Sequence, residues 1–280
     1  MQNPDGPFAG MKPVQVIDDG ELYTAVECFF SCENTRVRLE YTIYKKNDAV
    51  DVTADVFMND ANRMLKLALP VTLSGEYIGQ TAFGTEPLYM DGRECVAQRF
   101  VAVRDGNPLK PCLALFNRGT YGSSYENGTV SMSLVRGATY CAHPIGDRPI
   151  IPTDRYVKKI DMGERTFNFR LTAAPEASLE RLAMEYNMPP YACNVFPVES
   201  DEPARNFRLA IADRDITLVT MKKRDRADSY LIRLFNGSAD AKKTTLTVGD
   251  ISLLLDFGRY EVKTVEYRDG ILTELDRLII

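Results

Sequence analysis

The clearest structural pattern in the sequence is Arg36-Val37-Arg38-Leu39-Glu40-Tyr41-Thr42-Ile43-Tyr44. Its odd positions are apolar, and most of its even positions are polar. Successive side chains of a β-strand point to opposite faces, so this alternation predicts a strand with one buried face and one face in water. The apolar residues at positions 50, 52, 54 and 56 alternate with Asp and Thr in the same way and predict a second strand.

The same kind of pattern extends outward from these two strands. Short polar or glycine-containing steps, which supply turns and left-handed conformations at low cost, lie between the patterned segments. Because no helical pattern intervenes, the strands are expected to pair antiparallel. Strands are predicted at residues 64–73, 76–82, 95–104, 112–117, 129–135 and 156–171, with turns at 46–48, 74–75, 91–92, 105–106 and 127–128.

One segment departs from this pattern and marks a domain boundary. Leu179, Leu182, Ala183 and Tyr186 have the spacing of one helix face, which predicts a short amphipathic helix over residues 178–187. Strands are predicted again at 207–211, 216–221, 230–235, 243–248 and 260–267. The sequence therefore predicts an all-β protein, with one domain over residues 1–178, a helix and connector over 179–203, and a smaller β-sandwich over 204–280.

Composition excludes several classes of protein. Of the 280 residues, 45% are hydrophobic, which indicates a folded chain. The net charge of −5 argues against a nucleic-acid partner, since phosphate binding favours a basic surface. Apolar stretches are far shorter than the roughly 20 residues of a membrane helix, and no secretory signal follows Met1. We therefore expect no membrane partner, a cytoplasmic location, and reduced, mostly buried thiols for the six scattered cysteines.

Few catalytic constellations can be built from this sequence. The single histidine, His143, excludes a multi-histidine zinc site made by this chain alone. No phosphate-binding loop and no GxSxG motif occur. Cys141 lies two residues from His143, but no third group or oxyanion site completes that pair. A histidine in a loop or on the surface is the simpler reading of His143.

Residues 113–140 carry the most suggestive pattern for binding. A predicted strand is followed by a long loop rich in Tyr, Gly and Ser, then by a second strand that ends near Arg136 and Tyr140. Aromatic rings stack on the apolar faces of sugars, and amides and arginines give directed hydrogen bonds to hydroxyls. A polar, ring-shaped ligand is therefore expected here. The alternative for Arg136 is an ordinary surface ion pair.

The chain resembles the C-terminal β region of glycoside hydrolase family 38, the α-mannosidases. The resemblance rests on motifs in the family's order over about residues 14–173, with a second part that is similar to the small terminal β-sandwich of these enzymes. The first set comprises VIDDG from Val16, RMLKLALPV from Arg63, AFGTEP from Ala82, AQRF from Ala97, ALFN from Ala114, YG from Tyr121, SLVR from Ser133 and TY from Thr139. The second comprises VTMKK from Val219, YLIRLFN from Tyr230 and YEVKT from Tyr260.

The resemblance implies a galactose-mutarotase-like β-supersandwich, here expected to lack its first strands, followed by the smaller β-sandwich. It also implies that the Asp nucleophile and the zinc of a retaining α-mannosidase belong to an N-terminal catalytic domain of the same polypeptide. No catalytic residue, metal ligand or cofactor is expected in this chain, and the fragment alone is expected to be inactive. Arg136, Tyr121 and Tyr140 are the candidate residues for contact with a mannoside or oligosaccharide substrate.

Two other functions stay open at this point. A free-standing carbohydrate-binding β module would show sugar affinity as an isolated protein. A mutarotase-like epimerase is less consistent with the sequence. Enzymes of that kind use an acid/base pair that usually includes more than one histidine, and this chain has only His143.

Overall fold

The computed structural model describes the backbone of residues 9–10 and, in full, residues 13–107, 110–139, 158–194, 208–225 and 227–276. Nearly all of its regular structure is β, and every strand pair is antiparallel. One short α-helix occurs among the described residues. The predicted all-β class and antiparallel pairing are confirmed. No helix in the described ranges has the length and apolarity needed to span a membrane.

A large sheet of ten strands contains residues 36–44. Its order is β1-β3-β4-β5-β14-β11-β10-β7-β8, with β2 also paired to β3. Thr35–Tyr44 and Val50–Met58 pair from Arg36 with Phe57 to Ile43 with Val50, which confirms the first two predicted strands. The strands are β1 Ala9–Gly10, β2 Gln15–Asp19, β3 Tyr23–Cys32, β4 Thr35–Tyr44, β5 Val50–Met58, β7 Glu76–Thr81, β8 Gly84–Pro87, β10 Phe100–Arg104, β11 Cys112–Asn117 and β14 Gly163–Ala174.

A smaller sheet packs against the large one through apolar side chains. Its order is β6-β13-β12-β9. Met132 and Val130 of this sheet join Val52, Val101 and Phe169 of the large sheet in one buried cluster, and burial of this apolar area is the main stabilising term for the layered arrangement. The strands are β6 Met64–Pro70, β9 Cys95–Val96, β12 Gly122–Glu126 and β13 Thr129–Arg136.

The sequence-based strands were wrong in several places: residues 158–162 precede the strand Gly163–Ala174 rather than belong to it, and the strands Ile251–Phe257 and Ile271–Leu275 were not predicted. Two further differences concern the small sheet. Residues 95–104 do not form one strand, because Cys95–Val96 belongs to the small sheet and Phe100–Arg104 to the large sheet. The predicted Tyr/Gly/Ser loop contains β12, Gly122–Glu126. Ser123 and Ser124 are buried in this strand. Their hydroxyl oxygens accept hydrogen bonds from Tyr77 and Lys66, respectively, so these small polar residues can be buried in a sheet.

The C-terminal part contains the helix and two further sheets. Helix α1 runs over Leu179–Asn187 after a 3₁₀ turn at Glu176–Ser178, and it buries Leu179, Ala183 and Tyr186, which confirms the predicted helix. One sheet has the order β15-β18-β19 and the other β16-β17-β20-β21. The strands are β15 Leu209–Ile211, β16 Ile216–Lys223, β17 Tyr230–Asn236, β18 Lys242–Val248, β19 Ile251–Phe257, β20 Val262–Arg268 and β21 Ile271–Leu275.

The chain divides into two compact units. The first comprises residues 1–79 and 87–174, and the second comprises 80–86 and 175–280. The second unit has a core of its own, which includes Ile232, Leu234, Leu246 and Val265. Residues 80–86, at the turn between β7 and β8, thus belong with a unit whose other residues begin almost one hundred positions later. The domain limits given above stay a prediction.

Candidate functional site

The candidate site lies at one end of the β12–β13 hairpin. Tyr121 directly precedes β12, and Arg136 is the last residue of β13. Because the two strands are antiparallel, the beginning of one and the end of the other lie at the same end of the hairpin. Asn127 and Gly128 make the turn at the opposite end, both with positive φ, as the Asn-Gly pattern predicts.

A β-bulge in β13 directs Arg136 outward. Before the bulge the even-numbered Val130 and Met132 are buried, whereas after it the odd-numbered Val135 is buried and Arg136 is exposed. The pairing with β6 changes register between Ser133 and Val135, which leaves Leu134 as the extra residue. A bulge of this kind reverses the alternation of faces. Without it, Arg136 would follow Val130 and Met132 toward the core.

The residues around Arg136 are anchored at several points. The backbone N–H of Asn62 donates to the carbonyl oxygen of Gly137 at 2.7 Å. A Cβ at position 137 would lie 2.6 Å from the carbonyl oxygen of Asp60, so only glycine permits this close approach. Lys159 donates to Thr139 Oγ1 at 2.6 Å and to Asn62 Oδ1 at 2.8 Å. The chain that leaves β13 is therefore held in a defined position.

Tyr121 is positioned by a buried asparagine. Asn117, at the end of β11, donates from Nδ2 to the carbonyl oxygen of Gln98 at 2.8 Å, and its Oδ1 accepts from the backbone N–H of Thr120 at 3.1 Å. The carbonyl oxygen of Tyr121 accepts from Ala97 N at 3.0 Å. With its backbone fixed in this way, Tyr121 leaves 54% of its surface exposed.

A polar network that sequence analysis did not identify lies on the exposed side of the same sheet. Lys66 of β6 pairs with Glu94 and donates to Ser124 Oγ at 2.9 Å, and Ser133 Oγ donates to Glu94 Oε2 at 2.7 Å. Only 8% of the Lys66 side chain is exposed, so this ion pair is partly removed from water. The network ties the segment that precedes β9 to the strands of the hairpin.

The same segment presents a second aromatic ring. The Arg93 guanidinium carbon lies 3.7 Å from the centre of the Tyr89 ring, and Arg93 Nε donates to Asp91 Oδ2 at 2.8 Å. The hydrogen bond from Arg93 lowers the pKa of Asp91 below its ordinary value. The N–H of Gly92 donates to the carbonyl oxygen of Tyr125 at 3.0 Å, which places this segment beside β12. An exposed ring with a cation over it is a recurrent cation–π arrangement.

The structure brings two of the three predicted binding residues to one place. Arg136 and Tyr121 lie at the same hairpin end, and Arg136 makes no ion pair with any residue that the structure describes. Tyr140 lies outside the described residues, as does the pair Cys141 and His143. Cross-strand partners such as Lys66 and Glu94 carry no local sequence signal, because they are 28 residues apart.

The side chains at this hairpin end can form hydrogen bonds and stacking contacts with a ligand. They offer arginine donors, hydroxyls and exposed tyrosine rings. Within the described part of the chain, no three His, Cys, Asp or Glu side chains come together to hold a metal ion, so these residues do not fit a zinc site. No step of a metal-assisted reaction is assigned to them.

Comparison with known proteins identifies the family. The family model "Glycosyl hydrolases family 38 C-terminal domain" matches residues 2–149, more than half of the chain. The chain therefore belongs to glycoside hydrolase family 38, which confirms the resemblance found in the sequence. No curated protein matches the chain.

Two solved structures from Enterococcus faecalis have a similar fold. One is a protein in glycosyl hydrolase family 38, with a TM-score of 0.78 and 12% sequence identity. The match covers 93% of this chain and 36% of that protein's chain. The other is an alpha-mannosidase from strain V583, with a TM-score of 0.73 and 12% sequence identity. The match covers 93% of this chain and 35% of that protein's chain. The chain thus spans about a third of the length of these two proteins.

Proposed function

We propose that this chain is the C-terminal β part of a retaining α-mannosidase that acts in mannose and glycan metabolism. The observation that carries the proposal is the match of residues 2–149 to the family's C-terminal domain. The α-mannosidase among the structures of similar fold supports the substrate class. A cytoplasmic location remains a prediction from the sequence.

In this proposal the work is divided between two parts of one polypeptide. The catalytic portion, in a segment that precedes this chain, carries the carboxylate that forms the glycosyl-enzyme intermediate, together with the zinc. The β part packs on that portion and shapes the rim of the sugar site. Arg136 then donates hydrogen bonds to sugar hydroxyls, the Tyr121 ring stacks on an apolar sugar face, and Tyr140 is a further candidate contact.

A direct test is an assay of this chain with an aryl α-mannoside, with and without added zinc. No turnover is expected in either case, because the catalytic groups are assigned elsewhere. Turnover by this chain alone would contradict the proposal. The reading frame upstream should encode several hundred residues with an Asp/His zinc site. If that segment is absent and the chain still binds mannosides, a free-standing carbohydrate-binding module replaces the α-mannosidase assignment.

The role of Arg136 is tested in the full-length polypeptide. Arg136→Ala is expected to raise KM about tenfold, since a hydrogen bond from a charged donor to the substrate is lost. Arg136→Lys retains the charge but not the forked donor geometry, so an intermediate KM is expected. Arg214→Ala, which removes an exposed arginine of the second unit, serves as the matched control. An unchanged KM for Arg136→Ala would remove Arg136 from the rim.

A further inference from the structure

A second surface with binding chemistry lies on the exposed face of the large sheet. Strand register places two rows of four residues side by side across β3, β4, β5 and β14. Since alternate residues of a strand share a face, both rows point the same way. The first row is Phe29, Arg38, Asp55 and Thr166, and the second is Ser31, Arg36, Phe57 and Glu164.

The charged groups of the first row are already paired with one another or with neighbouring carboxylates. Arg38 donates to Glu27 at 2.6 Å, to Glu40 at 2.5 Å and to Asp55 at 3.0 Å. These contacts, above all the hydrogen bond with Glu27, raise the pKa of Arg38. Thr166 Oγ1 donates to Asp55 Oδ1 at 2.7 Å. An arginine held by three carboxylates has few donors left for a ligand.

The second row is not satisfied in this way. Phe57 is 42% exposed, with Arg36 and Glu164 as its direct cross-strand neighbours on either side. Both neighbours are exposed, and neither forms an ion pair with another residue of the described ranges. The arrangement is an aromatic ring between one donor group and one acceptor group. A single exposed phenylalanine is ordinary, but one flanked by two unpaired, opposite charges in a cleft combines the apolar and polar groups that small-molecule sites use.

The cleft at this end of the sheet has a volume of about 470 Å³ and is lined by the first row, by Arg36, Phe57 and Glu164 of the second row, and by Arg165. That volume is within the range of about 300–1,000 Å³ typical of small-molecule sites. Charges of both signs line it, so a ligand with one strong charge would be attracted by some of these groups and repelled by others. A neutral ring with hydroxyl groups would stack on Phe57 while Arg36 donates to it and Glu164 accepts from it.

We propose that this cleft binds a neutral sugar ring, a monosaccharide or one residue of an oligosaccharide, on the Phe57 platform. The surface lies on a different sheet from Arg136 and Tyr121, so the proposal goes beyond the function given above. Binding here needs no catalytic portion and is measured on this chain alone.

The test is a titration of the chain with methyl α-mannopyranoside, followed by NMR or calorimetry. Weak binding, with a Kd of about 1 mM, is expected for one stacked ring. Phe57→Ala is expected to weaken binding about tenfold, because the stacking surface is lost, whereas Phe57→Trp retains it. Arg36→Ala is also expected to weaken binding. Tyr191→Ala, which removes a tyrosine that is 91% exposed, is the matched control and leaves binding unchanged.

Thermal unfolding of each variant shows whether it folds. If Phe57→Ala does not fold, Arg36→Ala still tests the proposal. No binding at concentrations well above about 1 mM would overturn the proposal. Binding that survives both Phe57→Ala and Arg36→Ala, or that is lost only in Tyr121→Ala, would also overturn it, since the sugar would then lie elsewhere. The α-mannosidase proposal is tested by turnover and KM, so that proposal and the proposal of a sugar site at Phe57 can fail independently.

Discussion

Phe83 adopts a left-handed backbone conformation, with a φ of 60°, between β7 and β8. A residue with a Cβ is disfavoured there by roughly 1–2 kcal/mol. Its ring packs edge-on against Phe235, with the ring centres 5.3 Å apart, and Phe235 is buried in the second unit. The aromatic contact offsets part of the backbone strain.

Two substitutions separate these opposing effects. Phe83→Ala keeps the strained backbone and loses the ring contact, so it is expected to destabilise the protein by about 1–2 kcal/mol. Phe83→Gly loses the same contact but relieves the strain, so its loss should be smaller by about 1 kcal/mol. Denaturant unfolding measures both. Equal losses, or a larger loss for Gly, would contradict this account.

Asp60 gives the stability a defined pH dependence. Its side chain is buried, and both carboxylate oxygens accept hydrogen bonds, Oδ1 from Asn34 and Oδ2 from Thr35. Burial alone would raise the pKa of Asp60, but these bonds outweigh it and hold the pKa below its ordinary value. A carboxyl whose pKa is lowered on folding stabilises the protein above its unfolded pKa, and this contribution is lost as the pH falls through the folded value.

Asp60→Asn is therefore expected to cost about 1–3 kcal/mol near pH 7, because an amide cannot accept at both positions. The difference from the parent protein should shrink as the pH falls from the ordinary carboxyl value of about 4 through the lower folded value, because folded Asp60 becomes protonated only there. Asp91→Asn is the control: the pKa of Asp91 is also lowered, by its hydrogen bond with Arg93, but its side chain is exposed and little change is expected. A difference for Asp60→Asn that is constant with pH would contradict the assignment.

At the scale of elements, the β12–β13 hairpin carries both Tyr121 and Arg136. Gly128 has a φ of +74° in its turn, and a Cβ there would be strained. Gly128→Ala is expected to destabilise the protein by about 1 kcal/mol and to loosen the hairpin. Gly106→Ala is the matched control, since that turn glycine has no positive φ and open space around it. Similar unfolding free energies for the two variants would contradict the turn assignment.

The two ends of this hairpin show what sequence patterns can predict. The Asn127-Gly128 turn follows from local chemistry and could be placed from the sequence. The bulge at Leu134 could not, because the alternation of Val130, Met132 and Leu134 continues unbroken and would place Arg136 on the buried side. Register against β6 creates the bulge, and that partner lies some seventy residues earlier. The exposure of Arg136 is therefore a tertiary effect.

The division of residues 95–104 between two sheets has a similar origin. Cys95, Val101 and Val103 are all buried, so the segment has the apolar pattern of one continuous strand. A change of sheet at residues 97–99 depends on Asn117, which donates to the carbonyl oxygen of Gln98 across nineteen positions. Local periodicity predicts the existence of strands well, but it carries no information on which sheet a strand joins.

At the scale of the whole molecule, the division into two units predicts a specific pattern of local stability. Leu246 is fully buried in the core of the second unit, so Leu246→Ala is expected to cost that unit about 2–5 kcal/mol. Hydrogen exchange should become faster in β16–β21 and also in residues 80–86, while β4 and β5 keep their protection. If residues 80–86 instead keep the protection of β4 and β5, their assignment to the second unit is wrong.

Residues 80–86 also constrain how such proteins can be recombined. Gln80 donates to Glu180 near the start of α1, and Phe83 contacts Phe235, so the second unit is built from two separate pieces of chain. A gene fusion with a single junction near residue 175 would give the C-terminal lobe a foreign turn in place of its own. Exchange of the second unit between homologues therefore requires that residues 80–86 and 175–280 move together, while residues 87–174 stay with residues 1–79.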